Sequence, residues 1–146
     1  MNIKFAVLSR EKVANFDYEK PYILISIVAP GDEECYLMYS DTRLNVLRMK
    51  FHDINNKDKE YFSEISSMVF FTKEHAREII DFVNKYIDRI DLIAVNCDGG
   101  ISRSAGVVAG LSKCLTGEDS EFFKHYMPNS LVYSTIINEW YKKEEK

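Results

Sequence analysis

The residues best able to do chemistry lie in one stretch, Ala94-Val95-Asn96-Cys97-Asp98-Gly99-Gly100-Ile101-Ser102-Arg103-Ser104-Ala105-Gly106. The apolar run Leu92 to Val95 leads into it, and small and apolar residues from Ser104 to Leu115 follow it. It therefore joins a buried strand to a helix, and in α/β sheets ligands bind just beyond such strand ends. Gly99 and Gly100 let the backbone turn tightly and aim its N–H groups at one point. The helix that follows brings its N-terminal partial positive charge to the same point. The loop is an anion cradle before any side chain is counted.

Cys97 and Arg103 give that cradle a reaction. Thiols ordinarily have a pKa of about 8.5, and a helix N-terminus with a nearby cation lowers such values. A thiolate at the base of the cradle can attack phosphorus and form a cysteinyl-phosphate intermediate. Arg103 offers a planar fork of donors that matches two phosphate oxygens and offsets transition-state charge. Ser104 can donate its hydroxyl hydrogen to the sulfur and so ease its departure in the second step. Asp98, Gly99, Gly100, Ile101, Ser102 and Arg103 form the candidate substrate-binding set. Taken alone, a buried cysteine is ordinarily a small hydrophobe and an arginine at a helix start a solvated charge. Together at a strand end, a glycine turn and a helix start, they point to a site.

Cys97 to Arg103 has the Cys-x5-Arg spacing of the protein tyrosine and dual-specificity phosphatase superfamily, which this segment resembles. Gly100-Ile101-Ser102-Arg103-Ser104-Ala105 is similar to the dual-specificity branch, whose small bacterial and phage-type members have a similar length. The resemblance implies a phosphate monoester substrate, either a phosphoprotein or a small phosphate ester. It further implies a covalent thiol intermediate, no metal or other cofactor, and an aspartate on a separate upstream loop that protonates the leaving oxygen. One position departs from the pattern: Asn96 stands where the family usually has histidine. Asparagine can still donate a hydrogen bond that stiffens the loop, but it brings no charge, which lowers the expected rate. Asp98 would oppose phosphate if it faced the anion, so it is expected to point outward to a basic substrate group or a nearby Lys or Arg.

Asp53, directly after a predicted strand and at the start of a long loop, is the first candidate for the acid, and Asp58 the second. The ordinary alternatives are a turn cap for Asp53 and a solvated charge for Asp58. Tyr61, Phe62, Phe70 and Phe71 could wall a pocket for an aryl ring, although core packing suits Phe70 and Phe71 better. Lys57 and Lys59 could attract an anion, or be solvated loop charges. His52 reads as a turn contact, and His75 and His125 as structural; none has metal-ligand spacing with a cysteine.

The elements that must position these residues follow from periodicity. Strands are expected at Ile3 to Leu8, Tyr22 to Val28 and Leu92 to Val95, with weaker extended signals at Cys35 to Tyr39 and Val46 to Phe51. His52 to Met68 reads as a long loop. Thr72 can cap a helix whose apolar face is Ala76, Ile79, Ile80, Val83 and Ile87. Helices are further expected from Ser104 to Gly117, around Ser120 to Tyr126, and from Ser130 to Tyr141, the last started by Pro128-Asn129-Ser130. Strands and helices alternating in this way predict one α/β three-layer domain over residues 1–146, with a central, mostly parallel sheet flanked by helices.

Composition bounds the rest. Apolar residues make up 46% and charged residues 29%, an ordinary globular balance. The net charge of −4 disfavours a broad grip on nucleic acid. No run approaches the roughly 20 apolar residues of a membrane span, and the three cysteines have no paired spacing, so the expectation is a cytoplasmic chain with free thiols. Three rival functions follow from the same residues. A phosphate-recognition module would keep the cradle and turn over little, though binding alone does not require Cys97. An arsenate reductase needs a second thiol, and Cys114 lies eleven residues beyond Arg103, about 16 Å along a helix, too far for a disulfide; Cys35 stays open. A sulfurtransferase fits Gly-Ile-Ser-Arg-Ser less well than phosphate does.

Overall fold

Tyr22–Val28 is buried at every position, which requires a strand covered on both faces. In the computed structural model, which describes residues 2–144, this segment is β2 of a four-stranded sheet. β1 is Lys4–Leu8, β3 is Arg43–Lys50 and β4 is Leu92–Asn96, and the spatial order is β1-β4-β2-β3 with every pair parallel. The α/β architecture is thus the expected one. β4, flanked on both sides, carries the cradle at its carboxyl end; Asn96 lies in register with Leu8 and Ser26.

Alternating side chains split the sheet into two faces. Ile23, Ile25, Ile27, Ile93, Val95 and Cys97 share one core with the helices α3 (Lys73–Tyr86), α4 (Arg103–Thr116) and α6 (Ser130–Glu144). Tyr22, Leu24, Val28, Leu92, Ala94 and Cys35 face the other side, covered by the short α1 (Arg10–Val13) and by the irregular segment that follows it. α4 meets α6 closely because a Cβ at Gly106 would stand 2.9 Å from the Asn129 carbonyl oxygen. Gly117, with φ +83°, ends α4 in the left-handed conformation expected there.

Two expectations are corrected. Cys35 to Tyr39 forms no strand. Its carbonyls are taken by arginine side chains, Arg48 Nη1 to Cys35 O at 3.1 Å and Arg43 Nη1 to Met38 O at 3.0 Å, instead of by a neighbouring ladder. The loop from His52 to Met68 contains a 3-10 turn at Asn56–Asp58 and a one-turn helix, α2 (Lys59–Phe62). The remaining helix, α5, spans Ser120–His125. Among the described residues, no helix is long and apolar enough to cross a membrane.

Thr72 caps α3 as its sequence position predicts, and His75 completes a reciprocal capping box: Thr72 N–H donates to His75 Nδ1 at 2.9 Å. The ring stacks on Phe71 (centroids 5.5 Å apart), and burial pushes the His75 pKa below its ordinary value, against smaller opposing effects of Glu78 and Glu74. The unfolded chain therefore takes up this proton at higher pH than the folded one. The resulting stability is complete above pH about 6.5 and falls as the pH drops from there through the lower folded value. Melting temperature against pH should show this loss in the native chain and a flatter profile in His75→Gln, which keeps a capping side chain that does not titrate.

Candidate active site

β4 ends at Asn96, and the chain turns through residues 97–102 into α4. The Cys97 N–H donates to Leu8 O at 3.2 Å, so the turn starts tied to the end of β1. Gly100 has φ +66°, and a Cβ there would stand 2.6 Å from Ser9 N and 2.7 Å from Leu8 C. Only glycine fits both the conformation and the space. Gly99 has no atom within 4 Å of a built Cβ. Ile101 forms the exposed rim.

Cys97 is 1% exposed, and its sulfur lies 3.1 Å from Ser104 Oγ. Arg103, the first residue of α4, is buried, and its Nη1 donates to Phe51 O at 3.0 Å, just beyond β3. Ser102 occupies the N-cap position yet makes no side-chain cap. Its hydroxyl donates instead to Asp53 Oδ1 at 2.7 Å. α4 thus begins with no cap from the Ser102 side chain and no acidic residue in its first turn, so neither opposes its N-terminal partial positive charge.

Asp53 is thus brought to the loop from 49 residues upstream. A second donor, Asn129 Nδ2, reaches the same Oδ1 at 2.7 Å. Asn129 was readable in the sequence as a helix cap, and it is one: its Oδ1 accepts from Val132 N–H at 3.0 Å. Its other half, holding Asp53, depends on the close approach at Gly106 and has no local signal. Asp58 sits in the 3-10 turn, where its N–H donates to Asn55 O, and no hydrogen bond joins it to the cradle among the described residues.

Asp98 has the arginine partners the sequence allowed, and they are specific. Oδ1 accepts from Arg10 Nε at 2.9 Å, and Oδ2 stands 3.5 Å from Arg103 Nη2. The hydrogen bond from Arg10 to Asp98 raises the Arg10 pKa above its ordinary value. Nothing in the sequence singled out Arg10, which lies 88 residues away.

Asn96 does not stiffen the loop as expected. Its Nδ2 points to Cys35 Sγ at 3.3 Å on the opposite face of the sheet from Cys97, and its buried Oδ1 has no hydrogen-bond partner among the described residues. Cys35 and Cys97 therefore belong to cores on opposite sides of the sheet.

The proposed aryl wall is also placed elsewhere. Phe71 is buried against Phe51 and His75, Phe70 packs on the same core, and Tyr61 stacks edge-on against Phe62 in α2. The groove that adjoins the cradle, about 720 Å³, is walled by Ile101, Phe123, Tyr126, Met127 and Pro128, with Asp53 and Lys57 also lining it. His52 joins the two ends of its loop, accepting from Val69 N–H at 2.9 Å, a contact 17 positions away and not the local turn contact expected. Among the described residues, no three His, Cys, Asp or Glu side chains are grouped to hold a metal ion.

No protein-family model and no curated protein matches the chain. Solved structures do. The chain is similar to PTPMT1 in complex with PI(5)P, with a TM-score of 0.55 and 13% identity over 86% of this chain and 80% of that one. It is also similar to Tk-PTP in the active form, with a TM-score of 0.50 and 16% identity over 100% of this chain and 93% of that one. At such identities the likeness is one of architecture, and the fold is protein-tyrosine-phosphatase-like.

Proposed function

We propose that this chain is a cysteine-dependent phosphate monoester hydrolase of the protein tyrosine phosphatase type. One observation carries the reading: on a single glycine-turned loop at the start of α4, Cys97 Sγ meets Ser104 Oγ, the Arg103 fork lies against Asp98 of the same loop, and Asp53 is tied to that loop through Ser102. In the first step the Cys97 thiolate attacks phosphorus, the ester P–O bond breaks, and Asp53 gives a proton to the leaving oxygen. Arg103 and the loop amides of residues 98–103 hold the equatorial oxygens. In the second step water attacks the phosphocysteine, Asp53 takes the water proton, and sulfur leaves as Ser104 donates to it. Both hydrogen bonds to Asp53 fall on Oδ1, and among the described residues none falls on Oδ2.

The substrate classes under this reading are a phosphoprotein or a small phosphate ester. PI(5)P, bound by the similar PTPMT1, adds an inositol phospholipid to them. A cytoplasmic setting belongs to the same reading, supported by the free thiols of Cys35 and Cys97. One observation favours a second function, a phosphate-recognition module with little turnover: Asn96 spends its amide on Cys35 and gives the cradle no support.

Metal-free hydrolysis of an aryl phosphate separates the two. Turnover supports the hydrolase. Phosphate binding without turnover supports the module, and the absence of both removes the cradle itself. In the same assay Asp53→Asn should lose roughly 10²-fold in kcat, the usual worth of a general acid. Asp58→Asn should stay within about twofold, as for a surface charge away from the reaction. The reverse order would transfer the acid role to Asp58.

A further inference from the structure

Asp98 places a negative charge in a loop otherwise built to attract one. Its two oxygens are not equivalent. Oδ1 forms a short charge-assisted hydrogen bond with Arg10 Nε at 2.9 Å, whereas Oδ2 stands 3.5 Å from Arg103 Nη2. Arg10 is itself firmly anchored, since its N–H donates to Asp98 O at 3.1 Å and its Nη2 to Glu33 O at 2.8 Å. Arg103 has its own anchor in Phe51 O, so it does not depend on Asp98 for its place. Its side chain is only 10% exposed, and a cation so buried requires an anion nearby.

We propose that Asp98 is the resident counter-ion of Arg103, which an incoming phosphate must replace, and that Arg10 keeps Asp98 from closing fully onto Arg103. This rests on the reading of the cradle as a phosphate site. The geometry supplies both halves. Asp98 leans on Arg103 from the distance of an ion pair, while its hydrogen bonds among the described residues go to Arg10, so it can yield Arg103 without losing its firm partner. The backbone bond from Arg10 to Asp98 O holds the two residues side by side. Both Asp98 and Arg10 are about two-fifths exposed, so solvent screens the contest and its effects are moderate.

The experiment measures the dissociation constant for inorganic phosphate in the native chain, in Asp98→Asn, in Arg10→Gln, and in the double variant. Asp98→Asn should bind phosphate about 3- to 10-fold more tightly, and Arg10→Gln about 3- to 10-fold more weakly, the scale set by one screened charge. The double variant should bind as tightly as Asp98→Asn, because Arg10 acts only through Asp98. Unchanged or weaker binding by Asp98→Asn would overturn the proposal and make Asp98 a support for Arg103. A double variant weaker than Asp98→Asn would overturn the Arg10 half, since Arg10 would then meet the anion itself. Failure of the native chain to bind phosphate would remove the cradle reading as well. Thermal melting without phosphate confirms that each variant folds, and Asp98→Ser and Arg10→Met replace any that does not.

Discussion

Cys97→Ser should lower aryl phosphate hydrolysis by at least roughly 10⁴-fold, while the protein melts within about 2 °C of the native chain and still binds inorganic phosphate. The change replaces one atom in a pocket where Cys97 is 1% exposed, and a serine hydroxyl can keep the contact with Ser104 Oγ. The cradle's other parts are independent of the sulfur: the Cys97 N–H bond to Leu8 O belongs to the backbone, and Arg103 is held by Phe51 O. What is lost is the nucleophile, because a hydroxyl without an adjacent base is almost wholly un-ionised at neutral pH. Rapid alkaline denaturation of the native chain during turnover should in turn leave phosphate covalently attached at Cys97, detectable by mass spectrometry of the peptide. Retention of more than about a tenth of native turnover by Cys97→Ser would place the nucleophile elsewhere.

Gly100→Ala has the second largest expected effect, and here the loss begins in the backbone. At φ +66° an L side chain costs about 1–2 kcal/mol, and the added methyl would meet Ser9 N, Leu8 C and Leu8 O at 2.6, 2.7 and 2.9 Å. Those are main-chain atoms at the end of β1, where no flexible side chain can give way. A destabilisation of about 2–4 kcal/mol and a cradle pushed off β1 are expected together. Denaturant unfolding and phosphate binding measure the two parts. Gly99→Ala is the matched control: nothing lies within 4 Å of its Cβ, so stability should change by less than about 1 kcal/mol. Equal losses from the two substitutions would mean that the approach to Leu8 does not shape the loop.

Local signals carried much of this molecule in plain view. β-branched density marked Tyr22–Val28, Thr72 marked the start of α3, and Gly117 the end of α4, each through interactions with close sequence neighbours. The Cys97 to Ser104 segment was legible for the same reason, since strand, turn and helix start are contiguous. Strand order was not, because apolar strands of similar length can pair in several orders until the helices select one. Cys35 to Tyr39 misled because an unbroken apolar run says nothing about what takes its carbonyls; arginines took two of them. Arg10, the hold of Asn129 on Asp53 and the apolar groove around Phe123 and Met127 escaped because each matters through partners far along the chain. Asp53 could be proposed from its place after a strand, but its two donors, Ser102 and Asn129, come from the folded state alone.

The all-parallel sheet has a consequence for how the molecule comes into being. Parallel neighbours cannot be joined by hairpins, so β1 must wait for β4, the two being separated by most of the chain. The contacts that close the cradle repeat that distance: Arg10 to Asp98 spans 88 positions, Arg103 to Phe51 spans 52, and Asn129 to Asp53 spans 76. Loop-closure entropy is therefore spent before any of these contacts returns stability, and slow folding is expected for a chain of this length. During synthesis, no nascent chain that ends before Asn129 can make the second hydrogen bond to Asp53, and Cys97 emerges before α4 and α6, two of the helices that share its core. The same separation ties the cradle to the sheet that carries it, so the two are expected to form late and to be lost together.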